Sequence, residues 1–173
     1  MPLGYLDTSP LMRWVEADVP TPRPRDVAVA HDLEGLLGSP GLVLALSELT
    51  LLEFRSNVSK DWRTTNAGYA QFDAAWAQRS NVRLMEKVAN REILVVPEPV
   101  RAAEHAATLV DLATADHSIA LGTWDAIHLI TASAWAERAG ETVSLYTTDD
   151  GFQRFVGRYP EFATFVQVMD LNP

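Results

Sequence analysis

Short apolar runs separated by helical stretches constrain the fold of this chain more than any other feature. Such runs occupy residues 4–6, 42–46, 93–96 and 143–147, and residues 165–168 form a candidate fifth run. Strands of four or five residues that alternate with helical segments are typical of βαβ units and a parallel sheet. The sequence therefore predicts a three-layer α/β/α protein. Its central parallel sheet has four or five strands, with the fifth at an edge.

The segment after the first apolar run carries the signals of a helix start. Thr8 or Ser9 is predicted as the N-cap, and Pro10 falls in the first turn, where proline is tolerated. Three alternating prolines then predict an extended loop at residues 19–24.

Helical patterns also follow the later apolar runs. Ser47 is a suitable N-cap for a helix reaching about residue 60, in which Leu49 and Leu52 are predicted to be buried. Further helices are predicted at 66–91, 100–115 and 123–139, the last ending at Gly140. At 173 residues the chain is long enough for one well-packed domain. We therefore expect a single domain over 1–173, with a helical insertion at about 61–91.

Composition excludes several classes of site. The chain has no cysteine, which rules out disulfides and thiolate metal sites. Its first residues lack the basic start and apolar stretch of a signal peptide, and no apolar run approaches the roughly 20 residues that span a bilayer. We therefore expect a cytoplasmic protein with no membrane contact. The net charge of −9 argues against nucleic-acid binding through the overall field, but bound divalent cations reverse the sign locally.

Four acidic residues fall where an open parallel sheet binds ligands. Asp7 and Asp149 follow the first and fourth strands, Glu53 lies on the helix after the second strand, and Asp125 lies at the start of a helix. Each has a simpler interpretation, since an aspartate in such a place is often a cap or a turn residue. Four carboxylates that share a pocket repel one another strongly unless cations neutralise them. Ligation by oxygen alone favours Mg²⁺ or Mn²⁺ over zinc.

Four short motifs resemble those of the PIN-domain ribonucleases. They are DTS at 7–9, SELTLLE at 47–53, TWDAIHL at 123–129 and TTD at 147–149. Each is weak alone, but their order, spacing and strand context agree over nearly the whole chain, and DAIHL is the most specific part. Within that family, the sequence is most similar to the toxins of bacterial VapBC-type toxin–antitoxin pairs.

The resemblance implies a Mg²⁺- or Mn²⁺-dependent endoribonuclease that a cognate antitoxin keeps inactive, and it implies a homodimer. Asp7 and Asp125 are then direct metal ligands, and Asp149 binds directly or through water. Glu53 holds a second metal or orients the attacking water. Among the supporting residues, Thr147 holds the site by hydrogen bonding or binds water there. Thr8 and Ser9 do the same or merely cap a helix.

Three features of the sequence depart from the family pattern. The chain is longer than a compact member, with the excess in the proline loop and at 61–91. Trp124 stands where an aliphatic residue is expected. Asp150 adds a fifth acid, although Asp149 is the one in register with the preceding threonines.

Other polar residues near the motifs have two interpretations each. His128 lies nearly one helical turn after Asp125 and can reach the site, but we favour a structural histidine that is hydrogen-bonded within the helix layer. Arg13, Arg55 and Lys60 are candidates to guide a phosphate backbone, although a solvated helix face explains them equally well.

Two alternative functions remain to be weighed. A phosphatase of the haloacid-dehalogenase type requires a second aspartate where Ser9 stands, and we reject it. A catalytically inactive PIN-like module that binds RNA or protein is the remaining alternative, and the presence of all four acids argues against it.

Overall fold

A parallel five-stranded sheet forms the centre of the protein. The computed structural model describes residues 1–63, 72–116 and 119–172. The strands are β1 (Leu3–Leu6), β2 (Val43–Ser47), β3 (Ile93–Val96), β4 (Val143–Thr147) and β5 (Val166–Asp170). Their order is β3-β2-β1-β4-β5, and every neighbouring pair is parallel. The α/β/α class, the parallel sheet and the fifth strand at an edge are confirmed.

Helices cover both faces of the sheet and build a separate core on each. One layer contains α1 (Thr8–Glu16), α2 (Pro24–Leu37), α3 (Glu48–Arg63) and α4 (Ala74–Ala89). The other contains α5 (Ala102–Ala115), α6 (Thr123–Ala139), α7 (Asp150–Arg158) and a 3₁₀ turn at Pro160–Ala163. The layers follow from the strand order. The connections β1–β2 and β2–β3 run one way along the sheet and β3–β4 and β4–β5 run the other way, so right-handed crossovers place their helices on opposite faces. No helix of the described residues is long and apolar enough to cross a membrane.

Several predicted elements match, and others need correction. The predicted strands and the 123–139 helix lie within one or two residues of those observed, and Gly140 ends α6 with a φ of 67°. The N-cap of α1 is Asp7, not Thr8 or Ser9, because the carboxylate accepts from the first two backbone N–H groups of the helix. The prediction that Leu52 is buried is wrong, since its side chain is 63% exposed.

Two helices were not predicted, and one prediction can be followed only in part. α2 follows the proline loop directly and starts at Pro24, while α7 follows Asp149. Within the predicted 61–91 insertion, residues 61–63 complete α3, and α4 begins at Ala74. Residues 64–71 of that insertion lie outside the described part of the chain.

The strand order places a topological switch point beside the central strand. From β1 the chain proceeds to β2 and β3 on one side, whereas β4 and β5 lie on the other. Asp7 N donates to Tyr146 O at 3.1 Å, which extends the β1–β4 pairing to the end of β1. Ligands of open α/β sheets bind in this crevice, outside the carboxyl ends of the strands.

Candidate active site

Asp7 lies at the switch point and is held by four donors. Its side chain is 4% exposed. One carboxylate oxygen, Oδ1, accepts from Thr8 N at 2.7 Å. The other, Oδ2, accepts from Ser9 Oγ at 2.7 Å, from Thr147 Oγ1 at 2.9 Å and from Ser9 N at 3.4 Å. The predicted supporting residues Thr8, Ser9 and Thr147 therefore all donate to Asp7 and fix the orientation of its carboxylate. Thr8 also donates to Glu53 through its hydroxyl group.

Glu53 reaches the same place from α3. Its Oε2 atom accepts from Thr8 Oγ1 at 2.6 Å and lies 3.0 Å from His128 Nε2. Burial acts to raise the pKa of Glu53, but the hydrogen bonds from His128 and Thr8 outweigh it and lower the pKa. The side chain is therefore ionised and anchored by one of its two oxygens.

Asp125 lies in the first turn of α6, close enough to Asp7 and Asp149 for their charges to act on it. Its Oδ2 accepts from Gly122 N at 3.0 Å, as in a capping box. Burial, followed by the negative charges of Asp7 and Asp149, raises the pKa of Asp125 to about 6. The carboxylates of Asp7 and Asp149 are therefore close enough to Asp125 for their charges to interact with it.

Asp149 and Asp150 differ in what they contact. Asp149 is the N-cap of α7, where Oδ1 accepts from Gly151 N at 2.8 Å, and with Asp125 it lines a surface cavity of about 370 Å³. Asp150 is exposed and pairs with Arg154 on the same helix. Asp149 is therefore the acid that shares a cavity with Asp125.

His128 contacts the acids directly, although the sequence favoured a purely structural role within the helix layer. Its side chain is fully buried, with Nε2 3.0 Å from Glu53 Oε2 and 3.5 Å from Asp7 Oδ1. Burial acts to lower the pKa of His128, but the Glu53 hydrogen bond and the charge of Asp7 outweigh it and raise the pKa. The only sequence signal for this contact is the position of His128 nearly one turn after Asp125.

The donor set fits a divalent cation. Among the residues that the structure describes, Asp7 and Glu53 each offer a carboxylate oxygen within 4.8 Å of the other and of a His128 ring nitrogen, so the two acids could hold a metal ion. Asp125 adds a carboxylate whose pKa is raised by burial and by the negative charges of Asp7 and Asp149, and a bound cation would relieve that repulsion. Because the set is dominated by carboxylate oxygen, it suits a hard ion of the Mg²⁺ or Mn²⁺ class.

The three candidate basic residues lie on the helices next to the acids. Arg13 pairs with Glu16 at 2.9 Å and Asp26 at 3.4 Å. Together with Lys60 it lines a cavity of about 210 Å³ that also includes Ser9. Arg55 is exposed on α3. Their role toward a phosphate backbone stays a prediction.

Replacing Asp125 with asparagine is expected to stabilise the metal-free protein by about 1–2 kcal/mol. The reason is that folding raises the pKa of this carboxyl from its ordinary value of 3.8 to about 6, so its charged form destabilises the folded state. Asparagine can still accept from Gly122 N. Asp125 binds a proton more readily in the folded state than in the unfolded state. The destabilisation of the wild type by this carboxylate is therefore fully present above about pH 6 and disappears toward pH 4. Thermal unfolding in EDTA should therefore show a higher Tm for the variant at pH 7 and a smaller difference at pH 5. Asp111→Asn, at an exposed site on α5, is the matched control, and an equal gain there would contradict the explanation.

Gly151 allows the chain to pass close to the loop before α6. A Cβ atom at this position would lie 2.3 Å from Ala120 O and 3.0 Å from Asp149 Oδ1. Gly151→Ala is therefore expected to lower the free energy of unfolding by about 1–3 kcal/mol and to displace Asp149. Urea denaturation measures the first effect. Gly157→Ala is the control on the same helix, since no described atom lies within 4 Å of its Cβ position, and it should be neutral or slightly stabilising. Equal losses in both variants would contradict the close-approach argument.

Comparison with solved structures gives the fold an independent check. FitAcB from Neisseria gonorrhoeae is 22% identical, with 98% of this chain and 97% of that chain covered and a TM-score of 0.54. VapBC2 from Rickettsia felis, bound to a DNA fragment from the promoter, is 13% identical, with 97% and 98% covered and a TM-score of 0.57. VapC20 from Mycobacterium tuberculosis, a sarcin–ricin-loop-cleaving toxin, is 14% identical, with 88% and 93% covered and a TM-score of 0.53.

Sequence comparison adds no closer relative, since neither a protein-family model nor a curated protein matches the chain. The structural likeness extends over nearly the full length of each chain, which excludes a match to an isolated supersecondary unit. The chain therefore has the PIN-like α/β/α fold that its four motifs imply.

Proposed function

We propose that this protein is a Mg²⁺- or Mn²⁺-dependent endoribonuclease and the toxin of a toxin–antitoxin pair. The observation that carries the proposal is the position of Asp7, which is buried at the switch point. The next residue, Thr8, donates to Glu53, and Asp125 lies close enough to Asp7 for their charges to interact. The likeness to VapC20, a sarcin–ricin-loop-cleaving toxin, supports RNA as the substrate.

Each acid has a separate task in this proposal. Asp7 and Asp125 bind the cation directly, and Asp149 binds it directly or through water. Glu53 holds a second cation or orients the attacking water. A bound divalent cation supplies water activation and stabilises negative charge on the scissile phosphate.

The neighbouring side chains keep the acids in place. The hydroxyl groups of Ser9 and Thr147 donate to one oxygen of Asp7, and Thr8 donates to Glu53. Arg13, Arg55 and Lys60 guide the RNA backbone toward the acids from the α1 and α3 side.

The proposed partners follow from the similar structures. FitAcB from Neisseria gonorrhoeae and VapBC2 from Rickettsia felis support a cognate antitoxin as the binding partner of this chain. We propose in addition that the protein acts as a single domain, that it forms a homodimer, and that it works in the cytoplasm.

An assay on adjacent acids tests the catalytic proposal sharply. The purified chain, free of any partner, is incubated with structured RNA and Mg²⁺, with and without EDTA. Asp149→Asn should lose cleavage by at least about 10-fold, since asparagine can keep the cap on Gly151 N but lacks the charge. Asp150→Asn is the matched control and should cleave like the wild type, because Asp150 pairs with Arg154. Absence of metal-dependent cleavage by the wild type would favour the inactive RNA- or protein-binding module.

The toxin assignment has a test of its own in cells. Expression of the chain in a bacterial host should arrest growth, and co-expression of a small neighbouring gene product should relieve the arrest. Cleavage in vitro without growth arrest would retain the ribonuclease and reject the toxin.

A further inference from the structure

We propose that His128 is the positioning residue of Glu53 and that Tyr5 holds the His128 ring from the opposite side. The proposal rests on the proposed function, because it assigns Glu53 to a cation site. It adds to the acids a chain of hydrogen bonds that runs from Tyr5 through His128 to Glu53.

The surroundings of Nε2 decide where the imidazole carries a hydrogen. Glu53 Oε2 lies 3.0 Å away and Asp7 Oδ1 lies 3.5 Å away. The ionised carboxylate of Glu53 only accepts hydrogen bonds, so Nε2 is the donor in the 3.0 Å contact with Oε2. An Nε2 atom that bears a hydrogen has no lone pair for a metal ion. His128 therefore acts on the site through Glu53 and not as a ligand.

The opposite side of the ring is held by the central strand. Tyr5 OH lies 3.1 Å from His128 Nδ1, and Thr50 Oγ1 lies at 3.5 Å. A phenol hydroxyl can donate to Nδ1 or accept from it, so Tyr5 holds the ring in place whether or not Nδ1 carries a hydrogen. All three side chains have a relative exposure of 0%, so water does not compete for these bonds.

Both donors to Glu53 end on the same oxygen. Thr8 Oγ1 at 2.6 Å and His128 Nε2 at 3.0 Å meet Oε2, so we assign Oε1 to the cation or its water. Outer partners of this kind fix the orientation of a ligating side chain, and their loss typically lowers metal affinity by about 10–100-fold.

The experiment measures Mn²⁺ affinity of the purified protein by calorimetry, independently of RNA cleavage. His128→Leu should weaken binding by at least about 10-fold. His128→Gln, whose amide can donate from nearly the same place, should stay within about 3-fold of the wild type. Tyr5→Phe, which leaves the ring in place, should weaken binding by about 3–10-fold. Tyr159→Phe removes the same hydroxyl at a distance, where it donates to Leu112 O, and should change nothing.

Pulsed EPR of Mn²⁺ bound to the wild type separates the two roles of the histidine. A positioning histidine gives no coupling to a directly bonded ¹⁴N nucleus, whereas such coupling would show His128 as a ligand and overturn the inference. Equal Mn²⁺ affinity in the wild type, His128→Leu and Tyr5→Phe would overturn it while leaving the proposed function intact. If His128→Leu does not fold, Tyr5→Phe and the spectrum decide. No Mn²⁺ binding by the wild type would reject the metal-dependent function, and this inference with it.

Discussion

Asp7→Asn is expected to lower the rate of RNA cleavage by at least about 100-fold and to leave the fold intact. A ligand carboxylate that helps a cation stabilise charge on the scissile phosphate contributes several kcal/mol, and about 2.7 kcal/mol corresponds to 100-fold in rate. The fold should survive because asparagine can still accept from Thr8 N. Its amide can donate to Ser9 Oγ and Thr147 Oγ1, since hydroxyl groups also accept. Single-turnover cleavage at saturating Mg²⁺ measures the rate, and circular dichroism checks the fold.

Asp73→Asn is the matched control for this substitution. Asp73 is also a helix N-cap, at the start of α4, where Oδ1 accepts from Trp76 N at 2.6 Å. The same loss of charge at a cap that lies outside the acidic site should leave cleavage unchanged. If both variants lost activity alike, the effect of Asp7→Asn would come from weakened helix capping, and its role as a cation ligand would be rejected.

Trp76→Ala is expected to lower the free energy of unfolding by about 3–5 kcal/mol, the usual loss for a large core aromatic. Trp76 is 1% exposed and lies between α4 and the helices on the same face of the sheet. Its Nε1 donates to Val15 O at 3.0 Å, and its ring lies 4.6 Å from Phe72, centroid to centroid. The substitution therefore leaves a cavity and removes one hydrogen bond to Val15 O, which keeps the bond from Asp18 N. Urea denaturation at neutral pH measures the difference.

Trp62→Ala provides the comparison within the same region. Trp62 is 40% exposed near the end of α3, so truncation should change the free energy of unfolding by less than about 1 kcal/mol. A loss at residue 62 as large as that at residue 76 would contradict the assignment of Trp76 to the core.

The sheet was predictable because its strands are short, apolar and buried. Leu44, Leu46 and Leu145 are 0–2% exposed, and such runs stand out against the patterned segments between them. α2 was not predictable in the same way. It buries only Asp26, Val29 and Leu33, so its apolar stripe is thin, and the prolines before it suggested a loop. α7 was missed because it is short and contains two glycines, although Phe152 and Phe155 anchor it in the core.

The acids of the candidate site could be placed from the sequence, but their support could not. Asp7 follows β1 directly and Asp149 lies two residues after the end of β4, so their positions at one edge of the sheet follow from the fold class. The contact of His128 with Tyr5 joins residues 123 positions apart, and no spacing rule reports such a pair. The motif pattern therefore predicted acids near this edge of the sheet, and their roles stay predictions, whereas the hydrogen bonds that orient them needed the structure.

The two separate cores give the candidate site a mechanical consequence. Glu53 belongs to the layer of α1 to α4, whereas Asp125 and His128 belong to the layer of α5 to α7. A cation held by acids from both layers, as proposed, would be a cross-link over the open end of the sheet. Ligand binding to the folded state alone stabilises it by an amount that grows with the logarithm of ligand concentration. Hydrogen exchange should therefore slow in both layers together when Mn²⁺ is added, because separating them would first require release of the ion.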